Sequence, residues 1–276
     1  MSADTRTRLA TLVRRPEADL AEAALLIAAE AHPDLDVDAS LLRIDAFADS
    51  LLSAGRLPED DEEAELVADA LAFHLGRELG FAGHADGERD PDDALLDEVL
   101  RRRRGLPVTL TVLWVAVARR LRLRVFPIAL PGHVVAGIDG GDRIVVVDPF
   151  AGGRILGERE LADLVRIGTG GQAEFTRAML RPSSPPAVVR RILNNLTRDY
   201  TTAGRLTDAL WTVELKQLLP AAPVDDHRAR GELLFHLGRY RDAADAFEAY
   251  VEDAPGDAPD LAEISRMAIR ARAKLN

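Results

Sequence analysis

Two residues in the middle of the chain have the types and spacing for proton chemistry. His133 follows Pro131-Gly132 and opens a run rich in β-branched residues. Asp148 closes the next such run, within Val147-Asp148-Pro149-Phe150. On neighbouring strands, an imidazole and a carboxylate make the base-and-orienter pair of nucleophilic catalysis. The His takes or stores a proton, and the Asp fixes its ring. Such a pair ordinarily serves a cysteine, and the 276 residues contain none. That absence excludes thiol catalysis, disulfides, Cys-ligated zinc and iron–sulfur clusters. Plain readings stand beside the chemical one: His133 as a structural strand residue, and Asp148 before Pro149 as a strand terminator.

The elements that position this pair follow from the apolar pattern. Gly105 and Pro107 mark a helix start, Pro being suited to the first turn, and the helix runs over about 107–121. It is apolar almost all round (Val108, Leu110, Val112, Leu113, Val115, Val117, Leu121), which assigns it to the centre of a domain. The period then changes. Val125–Leu130, His133–Ile138 and Arg143–Asp148 read as antiparallel strands joined by tight turns at Pro131-Gly132 and Asp139-Gly140-Gly141-Asp142. Gly152 and Gly153 are expected to end the sheet, and 158–180 to return to mixed helix.

The first ~80 residues read as helices, over 17–31, 39–55 and 61–79, with Gly80 as a stop. Residues 81–92 are Gly- and Asp-rich and read as loop, before a short amphipathic helix over 94–103. Asp34, Asp36, Asp38, Ser40 and Asp45 imitate a calcium loop, but Ala39 stands where the turn needs Gly and Asp45 where Glu is usual; a helix-capping loop is the better reading. The segment at 168–171 lacks the Lys and following Ser or Thr of a phosphate loop and reads as surface. His74 and His84 have no partner at metal-ligand spacing, and His227 and His236 fall in a repeat. Neither a metal site nor a cofactor is expected.

Hydrophobic residues make up 47% and aromatics only 5%, a balance that favours helix. The formal charge is −11 and the pI about 5.1, which argues against nucleic acid as a partner. The run Arg101-Arg102-Arg103-Arg104 reads as the basic end of a helix. Residues 1–20 show no secretory pattern, and no run reaches the ~18–20 apolar residues of a membrane span. The expectation is a cytoplasmic protein with no membrane partner.

RPSSPP at 181–186 reads as a boundary. Beyond it GRLTDAL at 204–210 recurs as GRYRDAA at 238–244, a period of 34 residues. Gly231, Leu234, Tyr240, Ala243, Phe247 and Pro255 fit a tetratricopeptide-type repeat; the first unit is degenerate, with Thr197 in place of Gly. Residues 258–274 read as a capping helix. Two such units are too few for an independent solenoid core, so they are expected to lean on the preceding domain.

The order of buried helix, Pro-Gly-His strand and Asp-Pro-Phe strand resembles the transglutaminase-like superfamily, related to papain-like folds. With LLIAAEAHPDLDVDASLLRIDAFAD, LLDEVLRRRRGLPVTLTVLWVAVARRLRL, DPFAGGRIL and the trailing repeats, nearly the whole chain resembles the bacterial SirB-type family. The resemblance implies an α+β, mostly helical fold: a buried helix and small antiparallel sheet, then a tetratricopeptide-type hairpin pair. The domains expected are 1–80 packed with 81–180, then 187–276. It implies His133 and Asp148 in the family's His and Asp slots, with Pro107 at the position of the nucleophilic Cys. Arg104, Gly105, Pro107, Pro131 and Gly132 would line the cleft. No established activity comes with the family; regulatory or accessory work is suggested. The leading expectation is a non-catalytic protein binding a protein or peptide through its repeats. The alternative is a hydrolase or acyltransferase in which Thr109, Thr111 or a water replaces the thiol. Against it, both threonines read equally as capping or core-rim hydroxyls.

Overall fold

The computed structural model describes residues 3–58, 63–84 and 90–275. The chain forms two compact units, Met1–Ile192 and Leu193–Asn276.

The first unit begins with α1 (Ala3–Leu12), α2 (Leu20–Ala31), α3 (Val37–Ser53), α4 (Ala64–Leu71) and α5 (Leu96–Arg102). α6 (Pro107–Arg120) lies at the centre, packed by α2, α3 and α5 and by the sheet. Every residue from Val108 to Ala118 is buried, as a helix with no polar stripe requires. Asp19 caps α2 and Asp36 caps α3, the latter accepting from Ala39 N–H at 2.9 Å. In the acidic 34–45 segment Asp36 is thus a helix cap, while Asp38, Ser40 and Asp45 lie within α3 itself. Arg101 and Arg102 form the basic last turn of α5, and Arg102 pairs with Asp90 and Asp92 at 2.9 and 3.0 Å.

The helix expected over 61–79 is two elements, and its first residues fall in 59–62, outside the described residues. After α4 the chain widens into a π-helical segment, Ala72–Glu78, closed by Leu79 N–H on His74 O at 2.9 Å. Packing accounts for this difference. A Cβ on Gly76 would lie 2.2 Å from Gly152 O, and one on Gly153 would lie 2.3 Å from the Trp114 ring. The segment therefore follows the Gly152-Gly153 turn more closely than any side chain allows. Within the expected loop 81–92, Ala82 forms a β-bridge with Arg104, and Pro91–Ala94 is a 3-10 turn; residues 85–89 lie outside the described residues.

The three expected strands form as β1 (Val125–Leu130), β2 (His133–Asp139) and β3 (Ile144–Asp148), antiparallel and adjacent. The expected end at Gly152-Gly153 needs correcting. These residues, at φ +68 and +91, turn the chain back into β4 (Arg154–Ile155), which pairs with Val147 and Asp148. The sheet order is β1-β2-β3-β4. One face packs Ile128, Leu130, Val135 and Val146 against Leu161 and Val165 of α7 (Glu158–Gly168). The edge strand β1 carries Pro127, as edge strands tolerate. Ser183 covers it, its N–H on Pro127 O at 2.8 Å and its Oγ accepting from Ala129 N–H at 2.9 Å. No helix among the described residues is long and apolar enough to cross a membrane.

α8 (Pro185–Thr202) runs through the division between the units. The second unit continues with α9 (Leu206–Gln217), α10 (Asp225–His236), α11 (Tyr240–Asp253) and α12 (Leu261–Ala273). The repeat is physical as well as sequential. Gly204 and Gly238 both take positive φ, +70 and +73, and each next residue is an Arg paired three residues on: Arg205–Asp208 and Arg239–Asp242, both 2.7 Å. In the second repeat Gly231 makes room for Phe247, whose ring would lie 2.5 Å from a Cβ there. The first repeat reverses this division of volume: Thr197 stands where the second has Gly231, and Val213 where it has Phe247. Thr197 Oγ1 lies 2.7 Å from Thr212 Oγ1.

Candidate functional site

His133 is the first residue of β2 and Asp148 the last of β3, and the long imidazole reaches across the sheet. Nε2 lies 3.0 Å from Asp148 Oδ1. The same Oδ1 accepts from Phe150 N–H at 3.0 Å, so Asp148 also caps the 3-10 turn Pro149–Ala151. Phe150 closes the arrangement, its ring edge-on to His133 at 5.8 Å. The two side chains are 14% and 6% exposed. A neutral ring donating from Nε2 to the carboxylate keeps Nδ1 as its basic nitrogen. Nδ1 has no hydrogen-bond partner among the described residues.

The hydroxyls are not brought to that nitrogen. Thr109 Oγ1 accepts from Leu106 N–H at 3.1 Å and reaches Asp93 O at 2.9 Å. It acts as a cap for the start of α6, where Pro107 occupies the first position and offers neither nucleophile nor N–H. Thr111 Oγ1 donates to Val134 O at 3.2 Å. Both threonines are fully buried. Thr111 therefore docks α6 on the residue after His133.

The other residues expected around the cleft have mostly structural contacts. Arg104 is exposed and donates to Gly80 O at 2.7 Å. Gly105 lies under Val99, where a Cβ would come within 2.6 Å. Pro131 and Gly132 meet the C-terminal end of α7: a Cβ on Gly168 would lie 2.0 Å from Pro131 O. Gly168, read as part of a surface loop, is thus a close-packing residue.

Sequence reasoning passed over a second His–carboxylate pair. His84 Nε2 lies 3.1 Å from Asp93 Oδ1. Asp93 is 1% exposed; its Oδ2 accepts from Asp90 N–H at 3.1 Å and its carbonyl from Leu106 N–H at 3.0 Å. Gly83, beside His84, donates to Phe150 O at 2.8 Å, and a Cβ on it would lie 2.2 Å from the Phe150 ring. Both His–Asp pairs therefore abut Phe150 or the start of α6. The signal in the sequence was the Asp-Pro-Asp-Asp capping pattern at 90–93, not a spacing between histidines. His74 is a satisfied core residue, with Nδ1 3.0 Å from Glu78 and Nε2 3.1 Å from Phe47 O.

Elsewhere, His32, Asp97 and Glu98 bring ligand-type atoms within 4.8 Å of one another. His32 already holds Asp97 at 2.6 Å. Glu98 is engaged by Arg101 and Arg102, which hold its carboxyl below the usual range. A cavity of about 660 Å³ lies at the Asp139–Ile144 end of the sheet, the opposite end from His133 and Asp148, over Phe126, Phe175 and Leu180. The second unit carries a groove of about 420 Å³ lined by Leu206, Ala229 and Leu233 with Thr201, Glu232 and His236.

Residues 38–194 match the model of a transglutaminase-like superfamily, and residues 197–269 that of a tetratricopeptide repeat. A UPF0162 protein of Xylella fastidiosa is 32% identical over 237 residues, 84% of this chain and 83% of its own length. A UPF0162 protein of Pseudomonas aeruginosa is 31% identical over 230 residues, covering 82% and 81%. Protein SirB1 of Salmonella typhimurium is 28% identical over 204 residues, covering 73% and 74%.

Proposed function

This chain belongs to the transglutaminase-like superfamily, in the bacterial UPF0162 group, and on that footing we propose that it binds a protein or peptide without turning it over. One observation carries this reading. Where the family resemblance puts a nucleophile, the chain has Pro107, and both nearby hydroxyls are committed to the main chain. The binding element is the tetratricopeptide unit, whose groove is lined by apolar Leu206, Ala229 and Leu233 together with polar Glu232 and His236. Such repeats present concave surfaces suited to peptide segments. We place the protein in the cytoplasm, in a regulatory or accessory role.

The test compares three chains. A partner retained by wild type and by His133→Ala, but lost on Leu233→Glu in the groove, supports the reading. Turnover of an acyl ester, thioester or amide by wild type, abolished in His133→Ala, overturns it.

A second reading keeps chemistry at the first unit, with His133 Nδ1 activating a water for hydrolysis or acyl transfer. The intact His133–Asp148 pair and the unpartnered Nδ1 favour it. Equal rates for wild type and His133→Ala across the same substrates would remove it.

A further inference from the structure

An arginine without a counter-charge lies beside the turn that leads to His133. Arg191, on α8, is half-buried, and burial lowers the pKa of its guanidinium. No carboxylate pairs with it among the described residues. Its one hydrogen bond among the described residues, from Nη2 to Leu130 O, is long at 3.4 Å. A guanidinium carries five N–H donors, and partial removal from water without an anion is costly. Other half-buried arginines here meet acids: Arg102 holds Asp90 and Asp92, and Arg120 holds Asp45 and Asp19. Arg191 is built differently.

Its position gives the difference a use. Leu130 is the cross-strand partner of His133, so the guanidinium sits at the closed end of the β1–β2 hairpin. The turn there is Pro131-Gly132, with Gly132 exposed and at φ +74. At the same end, a neutral His133 ring that donates from Nε2 to Asp148 leaves Nδ1 as an acceptor with no partner among the described residues.

We infer that this hairpin end binds a peptide carboxylate, with Arg191 holding the carboxylate and His133 Nδ1 accepting a neighbouring amide N–H. The fork of a guanidinium matches the two oxygens of a carboxylate. A dianionic phosphate is less suited to a single cation on a chain of net charge −11. A carboxylate flanked by an amide N–H is the end of a polypeptide, or an Asp or Glu within one. The site belongs to the first unit and does not depend on the repeat groove.

The test uses the full chain and three probes: acetyl-trialanine with a free C-terminus, the same peptide as its amide, and acetyl-Ala-Glu-Ala-amide. The His133 ring nitrogen signals report binding by NMR. The free acid is expected to shift Nδ1 saturably and the trialanine amide to leave it unmoved. Saturation by the Glu peptide as well assigns the site to carboxylates in general; its failure assigns the site to chain ends. Arg191→Gln should weaken binding about tenfold or more, as for loss of a charged hydrogen bond. Arg191→Lys should weaken it less, keeping the charge but not the fork. The inference is overturned if acid and amide act alike, if no probe moves Nδ1, or if Arg191→Gln binds as wild type does. Should Arg191→Gln fail to fold, the acid-against-amide comparison on wild type still decides.

Discussion

Removing the Asp148 carboxylate separates its structural task from any chemical one. Its Oδ1 receives two donors, His133 Nε2 and Phe150 N–H, each at 3.0 Å, and the side chain is 6% exposed. In Asp148→Ala the turn loses its cap, worth about 1 kcal/mol. The imidazole loses a charge-assisted bond worth about 1.5–3 kcal/mol. The expected cost is therefore about 3 kcal/mol, or roughly 6–12 °C for a unit of this size at about 2–4 °C per kcal/mol. Asp148→Asn keeps an acceptor oxygen and loses only the charge, so about 1 kcal/mol is expected. The assay is a thermal melt followed by Trp114 fluorescence in a Trp211→Phe background, since the chain has two tryptophans. Trp114 lies against Gly153, at the end of the turn that Asp148 caps. A His133→Ala cycle should show coupling of about 1–3 kcal/mol between the two side chains. If Ala and Asn melt together, or both melt with the parent, the hydrogen-bond reasoning is refuted.

Three further outcomes follow from close contacts and burial. Gly168→Ala should destabilise the first unit by about 3 kcal/mol, because its methyl would fall on the Pro131 carbonyl; a melt with the same Trp114 reporter measures this. Gly231→Ala should cost about 1–3 kcal/mol through its clash with the Phe247 ring. Adding Phe247→Val should recover part of the loss, since the first repeat already pairs a larger residue with valine; urea titration of the four chains gives the comparison. Burial pushes the Asp199 carboxyl up, outweighing its bond to Arg198. Its folded pKa then exceeds its unfolded one, so the charge penalises the fold at neutral pH and the penalty is relieved as pH falls through the raised value. Wild type should gain stability relative to Asp199→Asn on acidification from about pH 7 to 4, read from paired melts.

The parts legible in the sequence are those governed by periodicity or fixed backbone geometry. α6 and β1 to β3 fall where apolar period and the Pro131-Gly132 and Asp139-to-Asp142 turns put them. The π-helical segment was not legible, because it answers to Gly152 and Gly153, some 75 residues away along the chain. β4 was missed for a related reason: two glycines read as an end when they make a return. His133 and Asp148 were found because both sit at strand ends marked by Pro and Gly. His84 and Asp93 were passed over because their pairing depends on how the start of α6 folds back on Asp93 O, a contact no local pattern records.

The His133–Asp148 pair is weaker evidence for catalysis than its composition suggests, because each residue has a second employment. Asp148 caps the turn that brings Phe150 to Gly83, and His133 packs against that same ring. A fold that had lost its nucleophile would still keep both residues, since losing either leaves a buried donor or acceptor unmet. The missing thiol is different: Pro107 suits the first turn of α6, so nothing in the packing calls for a reactive group there. Retention of the pair is therefore expected with or without chemistry, and only Nδ1 distinguishes the cases. A nitrogen kept solely for structure would tolerate any neighbour, whereas one that meets a ligand must stay open to it. Arg191→Gln should therefore leave the coupling between His133 and Asp148 at its parental value and weaken carboxylate binding about tenfold or more.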